Sequence, residues 1–581
     1  MPMVPNFVLK RLYLKESLCN TTRGCQFTLQ NSLGAGTVAR FQGLEIDGTP
    51  VPLDQLFRVE PTGAFQPVQA ITPEAPLPLA DGASYTLLLQ EVWLEPGKHT
   101  LHLSIESVDL GPWDFSVKDT VREERDAVVE PRPVSQGVTR SDWESRPVKV
   151  VILGAGSTVF ARQLMTDLLC TPGLERGRFA LVDVDRERLD LAHRMGQALV
   201  ERSGRAWQVE ATADRTQALP DCDYVINTIE VAGLRNVRPD YEIPLKYGVD
   251  QCIGDTIGPG GIFKMLRTGP VWLDIVRDIE RLCPQALVMN YSNPMSALTL
   301  LALRATQLQV VGLCHSVQGT SSQLAAYLDV PQADLQFCCA GINHMAWFTQ
   351  LRYQGQDMYP RLFELAQDPE IYEADPVRFE VMLHFGAFVT ESSGHFSEYV
   401  PYFRKRPDLV ARYMRPGYRG ESGFYARNWP RWRAQADDTV RAQLEGAREI
   451  ALERGSEYAS VIVEAIESGC PVVIYGNVRN QGLIDNLPAE GCVEVPILVD
   501  ANGLHATHFG SLPVQLAALN AAHMYVHELM VKAILERDRG AACQALMLDP
   551  LTAAVCSPEE IERMFEEMWQ AERADLAAFE G

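Results

Sequence analysis

The stretch that most limits how this chain can fold is VKVVILGAGSTVF, residues 148–160. A continuous apolar run ends in Gly154-Ala155-Gly156, and a helix-like segment follows to about Cys170. An apolar run without alternation suits a strand buried on both faces. The pattern then recurs. FALVDV reads as a second strand and DRERLDLAHRMGQALVERSG as an amphipathic helix, while YVINTI, ALVMNYS and VVGLCH are further buried strands. Strands alternating with helices predict an α/β fold with a parallel, doubly wound sheet. In that setting the first glycine makes the tight turn and the second lets a pyrophosphate approach the backbone, at the positive end of the helix. Val159 stands where a third glycine or alanine is usual. Asp183 ends the second strand, 27 residues after Gly156, placed to bond a ribose diol and to disfavour a 2′-phosphate. Gly154, Ala155, Gly156, Ser157, Thr158 and Asp183 are thus the expected contacts of an NAD-type dinucleotide.

The rest of the chain divides around this unit. Residues 1–120 read as β: LHLSIESV (101–108) alternates, with Leu101, Leu103 and Ile105 on one face. EPGKH has turn chemistry and follows SYTLLLQEVWL, so 84–108 is expected to be a hairpin. Asp47-Gly48 is a second turn signal, and a small β-sandwich is the natural reading. Residues 121–147 are charged, proline-containing and non-periodic, the composition of a linker. Residues 148–345 are expected to form the Rossmann-like NAD-binding domain. Residues 346–581, with helices expected at 439–454 and 514–537 and a strand at PVVIYGN, are expected to form a C-terminal α+β lobe for substrate binding and oligomerisation.

The composition narrows the partners. A net charge of −23 argues against nucleic acid or an anionic membrane, which would want a basic face. No uninterrupted apolar run reaches the roughly 20 residues that span a bilayer. The N-terminus lacks a basic start followed by a long apolar core, so no signal peptide is read there. The 13 cysteines, without a CxxC pair, suggest free thiols in a reducing compartment, with the cytoplasm as default.

Ligands of open α/β sheets sit at the carboxyl ends of the strands. Several polar groups gather at those ends here. GDTIGPGG implies close approach of backbone to ligand, and Arg267 follows on the next helix. Asn293 precedes Pro294 after one strand, and Cys314-His315 closes another. CCAGINHMAW supplies Asn343 and His344, 30 residues beyond Cys314. A soft thiolate with an imidazole suits a divalent transition metal that keeps positions open for substrate oxygens. The same cysteine and histidine also fit as a small core residue and a structural imidazole.

With these motifs in order, residues 148 to about 570 resemble the NAD- and metal-dependent glycosidases of glycoside hydrolase family 4. The resemblance rests on VILGAGST, GDTIGPGGIFKMLRT, NYSNPM, GLCHSVQGT and GINHMAWF. ESSGHFSEYVPYFRK and VEVPILVDANGLHATHFGSLP extend it into the C-terminal half. The CHSV form, Cys314 to Val317, looks like the α-galactosidase branch. About 147 residues precede the usual family start, and they resemble the small β-sandwich subunit of enzymes that cleave C-glycosides.

The resemblance implies a mechanism: transient oxidation at sugar C3, loss of the C2 proton, elimination of the aglycone, addition of water and return of the hydride. It implies Cys314 and His344 as ligands of Mn2+ or another divalent transition metal, with His315 as general acid. Asn293, Arg267 and Asn343 would bind substrate. Tyr399 would be the C2 base, with Glu398 and Tyr402 nearby. A phenol has an ordinary pKa of about 10, so a metal or a cation such as Arg404 or Lys405 would have to lower it. The implied assembly is a homodimer or homotetramer. Other readings of the same residues are the same chemistry on α-glucosides, glucuronides or C-glycosides, a hydroxyacid dehydrogenase, and a non-catalytic sugar or NAD sensor.

Overall fold

The structure is a computed structural model that describes residues 147–579. It also describes residues 12–121, apart from 15–16, 22, 31–35, 60–64, 74–75, 80–83, 91, 96 and 108–110. The expected linker, 121–147, therefore lies almost wholly outside the described residues. The chain separates into two compact units, residues 1–133 and 134–581.

The first unit has two antiparallel sheets. One holds Cys19–Thr21, Gly24–Gln30, Ser84–Gln90, Leu56–Val59 and Phe65–Pro67; the other holds Gly111–Val121, Gly97–Ser107, Gly36–Ile46 and Thr49–Pro50, with Leu77–Leu79 beside Gly36–Ile46. Their inward residues share one core, with Phe27, Leu87 and Leu89 from one sheet facing Leu101, Leu103, Ile105 and Phe115 from the other. The expected alternation of 101–105 is thus present. Asp47 and Gly48 carry the chain from Gly36–Ile46 into Thr49–Pro50 at positive φ, 52° and 78°, as a tight hairpin requires.

The hairpin expected at 84–108 is not formed. Ser84–Gln90 pairs with Gly24–Gln30 and Leu56–Val59, whereas Gly97–Ser107 belongs to the opposite sheet and pairs with Gly111–Val121 along its whole length. The turn chemistry of EPGKH serves a crossing between sheets. That crossing lets both strands turn their apolar faces into the shared core.

In the second unit six strands are labelled in chain order: β1 Val148–Leu153, β2 Arg176–Val182, β3 Ala206–Thr212, β4 Tyr224–Asn227, β5 Leu287–Asn290 and β6 Gln309–Gly312. All neighbours among them are parallel, in the order β3-β2-β1-β4-β5-β6, the doubly wound arrangement expected from the sequence. Val150 and Ile152 of β1 enter one core and Val151 and Leu153 the other, which is why the strand reads as an unbroken apolar run.

The same sheet continues through β7 Gln336–Ile342, β8 Met345–Tyr353, β9 Val472–Arg479 and β10 Cys492–Asp500, in the order β6-β9-β10-β7-β8. Gly312, Asn477, Glu494 and Gly341 are neighbours across β6, β9, β10 and β7. The sheet runs straight across residue 345, through the tight β7–β8 turn at Asn343-His344. The helix expected at 439–454 begins and ends earlier, at Phe424–Leu444; Gly446, at φ 76°, follows its end, and no helix resumes before Tyr458. The helix expected at 514–537 spans Val514–Glu536. Among the described residues no helix is long and apolar enough to cross a membrane.

Candidate active site

The glycine loop is held tightly from below. Gly154 has φ 78°, and a Cβ there would lie 2.6 Å from the Thr228 carbonyl oxygen. A Cβ on Gly156 would lie 2.6 Å from Asp183 Oδ2, the atom that accepts the Gly156 N–H at 2.7 Å. Only glycine fits either place. Ala155 is fully buried and donates its N–H to the Val182 carbonyl. Ser157 caps the helix Thr158–Cys170 by position, without a side-chain bond. Thr158 donates its hydroxyl to Asp437 Oδ1 at 2.9 Å. A bare loop, a carboxylate fixed beside it and a helix N-terminus form a cradle that fits a dinucleotide pyrophosphate and ribose.

The second cluster stands at the carboxyl ends of the parallel strands. Cys314 follows β6, and His344 occupies the β7–β8 turn at φ 63°, a left-handed conformation uncommon outside glycine. Their side chains hydrogen-bond to one another. Burial opposes the Cys314 thiolate, but the His344 charge and hydrogen bond outweigh it and hold the thiol below its usual range. Burial likewise opposes the His344 cation, yet Cys314 and Glu391 bring its pKa up to about 10. Each side chain thus favours the charged form of the other. Glu391 Oε2 is 3.5 Å from His344 Nε2. Burial opposes ionisation of Glu391 too, and His344 and His395 overcome it.

His395 lies in the short helix Ser393–Phe396, and ligand atoms of His344, Glu391 and His395 fall within 4.8 Å of one another. His395 Nε2 is buried without a hydrogen-bond partner. An orphaned imidazole nitrogen, a second imidazole and a carboxylate gathered within 4.8 Å, with the Cys314 thiol beside His344, form a donor set that fits a divalent transition metal. Glu391 and His395 are absent from the sequence-based set. Their signal was the stretch ESSGHF, whose histidine and glutamate are spaced for one turn of helix.

Tyr399 follows on the same segment, almost fully buried, with Oη 3.3 Å from His344 Nδ1. Burial and the negative Glu391, Asp255 and Glu398 hold its phenol well above the ordinary range. The two cations expected to counter this do not. Arg404 is committed to Asp250, Ser397 and the Gly420 carbonyl, and Lys405 is exposed. Glu398 is an anchor: its carboxylate accepts the backbone N–H groups of Cys252, Ile253 and Gly254, fixing the glycine-rich loop. Tyr402 is partly exposed.

That loop presents Asp255, which accepts from Asn293 Nδ2 at 3.1 Å and pairs with Lys264. Lys264 is also held by Glu230 at 2.7 Å. Burial opposes ionisation of Asp255, but Lys264 and His395 keep its carboxyl far below the usual range. Asp255, Lys264 and Glu230 line a cleft with Asp240, Arg267, Tyr425 and Trp429. Asn293 does not cap the helix that follows, whose cap position is Pro294. Asn343 is buried beside His344 with both amide atoms unpartnered.

Arg267 and His315 are placed differently from expectation. Arg267 borders the cleft, but Nη1 and Nη2 are bound by Asp240 and Glu572 in a buried ion cluster, so its charge is spent inside the wall. Lys264, unremarked in the sequence, is the cation nearer Asp255. The His315 side chain is 70% exposed, and Nδ1 lies 3.8 Å from Glu457. Glu494, on β10, is a further group the sequence did not suggest: it is fully buried, and burial pushes its carboxyl up to about 8, with the Cys314 charge adding to the effect.

Known proteins match this arrangement. Family models described as "Family 4 glycosyl hydrolase" and "Family 4 glycosyl hydrolase C-terminal domain" match residues 149–330 and 339–552. A model described as "Hydroxymethylglutaryl-CoA reductase, N-terminal domain" matches residues 8–122. The chain is 40% identical to an α-galactosidase of Bacillus subtilis, over 73% of this chain and 98% of that protein. It is 38% identical to an α-galactosidase of Rhizobium meliloti, over 72% of this chain and 87% of that protein. A 6-phospho-α-glucosidase from gut microorganisms, solved with NAD and Mn2+, has the same fold with a TM-score of 0.63, at 21% identity over 74% of this chain and 99% of that one.

Proposed function

The chain belongs to glycoside hydrolase family 4, and from that premise we propose that it cleaves α-galactosides with NAD and a divalent metal as cofactors. The observation that carries this reading is the convergence of Cys314, His344 and Tyr399 near Asp255, which lines the cleft and accepts from Asn293. The cleft also supports a neutral sugar. Its two cations, Lys264 and Arg267, are each held by two carboxylates, which leaves no free positive charge on the lining for a sugar phosphate.

Cys314, His344, Glu391 and His395 would hold the ion; Gly154 to Thr158 and Asp183 would hold the dinucleotide. When bound, NAD supplies a reversible acceptor for the C3 hydride, which acidifies the C2 proton, and the ion supplies a Lewis acid for the sugar oxygens. Tyr399 Oη would take the C2 proton as the phenolate, which a cation held by the neighbouring donor set would favour against Glu391, Asp255 and Glu398, with His344 fixing its direction. Asn293 and Asn343 present amides to sugar hydroxyls. His315, at the exposed rim, gives a proton to the departing oxygen. Glu398 acts at a distance by holding the 252–254 backbone that positions Asp255.

We infer further that the enzyme works in a reducing cytoplasm as a homodimer or homotetramer. The free cysteines, Cys314 among them, support the former and the family's habit the latter. The N-terminal unit, two antiparallel sheets over one core, is read as an accessory domain like the small subunit of C-glycoside-cleaving enzymes.

The test is a panel of nitrophenyl glycosides of both anomers, with NAD, Mn2+ and a thiol reductant, run in D2O. The expected result is preferred turnover of the α-galactoside with deuterium at C2 of the released sugar. A two-carboxylate glycosidase leaves that position unlabelled. Turnover without label overturns the mechanism, and labelled turnover confined to another sugar overturns the substrate.

A further inference from the structure

The helix Phe424–Leu444 carries Tyr425, Trp429, Arg433 and Asp437 at four-residue spacing, one stripe along its surface. Its beginning is fixed at the substrate cleft. Tyr425 and Trp429 line it, with rings stacked 5.4 Å apart, and Trp429 packs so close to Gly233 that a Cβ there would lie 2.5 Å from the indole. The far part of the stripe is fixed at the glycine loop. Asp437 accepts the Thr158 hydroxyl at 2.9 Å and pairs with Arg188, and Arg188 Nε donates to the Gly156 carbonyl at 2.8 Å. Arg433 lies between these two anchors. A dinucleotide seated on the glycine loop with its reactive ring at the cleft has to cross that interval.

Arg433 differs from its neighbours on this helix. Arg427 pairs with Glu421, Arg431 bonds Asn428, and Arg441 reaches Asp438 and Glu187. Arg433 is half-buried and makes no hydrogen bond or ion pair with any described residue. The acids around it are already committed: Asp437 to Arg188, Glu230 to Lys264, and Asp183 to the Gly156 N–H. Burial, followed by the like charge of Arg188, pulls its pKa below the ordinary arginine value. A partly desolvated cation without a counter-ion is costly unless an anion completes it.

We propose that Arg433 is a cofactor-positioning residue that pairs with the pyrophosphate of the dinucleotide from the side opposite the glycine loop. The helix thereby links cofactor seating to the aromatic wall of the substrate cleft. This rests on the NAD reading given above. No part of it involves the metal.

The experiment is equilibrium binding to the full chain by calorimetry, with NAD, ADP-ribose and adenosine as probes, at low and high salt. Arg433→Gln is expected to weaken NAD and ADP-ribose by about 10–100-fold, the usual worth of a charge-assisted hydrogen bond, and to flatten their salt dependence. Adenosine, which lacks phosphate, is expected to bind unchanged. Arg433→Lys should recover most of the affinity, and Arg431→Gln, on the exposed face, should behave as wild type. Undiminished NAD binding to Arg433→Gln overturns the proposal alone. Equal weakening of NAD and adenosine makes the residue structural and also overturns it. Failure of the wild type to bind NAD or ADP-ribose overturns the dinucleotide reading and the proposal with it.

Discussion

Tyr399 Oη lies 3.3 Å from His344 Nδ1, and the opposite ring nitrogen of His344 faces Glu391 at 3.5 Å. One imidazole thus sits between the proposed base and a carboxylate of the metal-donor set. Removing the phenol oxygen should therefore abolish proton abstraction without emptying either cofactor site. Tyr399→Phe is expected to lower turnover by about 10²–10⁴-fold, and deuterium uptake at C2 should fall in parallel. Metal content and NAD affinity should stay within about twofold. Unchanged label uptake would exclude Tyr399 as the base.

Cys314→Ser exchanges soft sulfur for hard oxygen in the donor set. Metal retained after gel filtration, measured by elemental analysis, should fall on the order of tenfold or more. NAD binding should be preserved, because the glycine loop is built from other strands. His395→Ala should weaken retention less. Full metal content in both variants would remove this cluster from the metal site. In metal-free wild type, the lowered Cys314 thiol pKa also predicts that mild peroxide blocks reactivation by Mn2+, a block reversible by thiol at early times.

Arg267→Met should cost stability, because it strands Asp240 and Glu572 in the interior. Breaking a buried pair of this kind costs about 3–5 kcal/mol. Urea unfolding with a midpoint near that of wild type would show that the cluster contributes little.

The buried Glu494 predicts a pH dependence. Its carboxyl is pushed up to about 8 in the folded chain, against about 4.3 when unfolded. Between those values the folded state holds a proton that the unfolded state has released. Its stabilising contribution is complete below about pH 4.3 and is lost as pH rises through about 8, by at most ~1.4 kcal/mol per unit. In chelator-treated protein, Glu494→Gln should lose less stability than wild type between pH 6 and 9. Parallel unfolding profiles would contradict the raised pKa.

The parallel half of the fold was legible because each strand from Val148 to Gly312 is a local apolar run with a local turn signal. The Cys314, His344 and Tyr399 stretches were legible through family motifs. What was hidden depends on distant partners. Arg267 looked like a ligand-binding cation because nothing near it in sequence discloses Glu572, 305 residues away. Glu494 was not singled out in VEVPILVD; only the β9–β10–β7 pairing shows that it sits inside. The EPGKH turn gave a correct local shape and a wrong partner, since a turn cannot announce whether its strands stay in one sheet.

The order of strands also sets when this protein can become an enzyme. β6, which leads to Cys314, and β7, which leads to His344, are close in sequence, but β9 and β10 stand between them in the sheet. Those two strands are made more than 120 residues after His344 has been added to the chain. The glycine loop needs only β1, β2 and β4 and can form early, from local contacts. The metal cluster needs insertion of a late hairpin between two earlier strands. Nascent chains should accordingly acquire nucleotide affinity first, and metal retention should serve as a reporter that synthesis and insertion are complete.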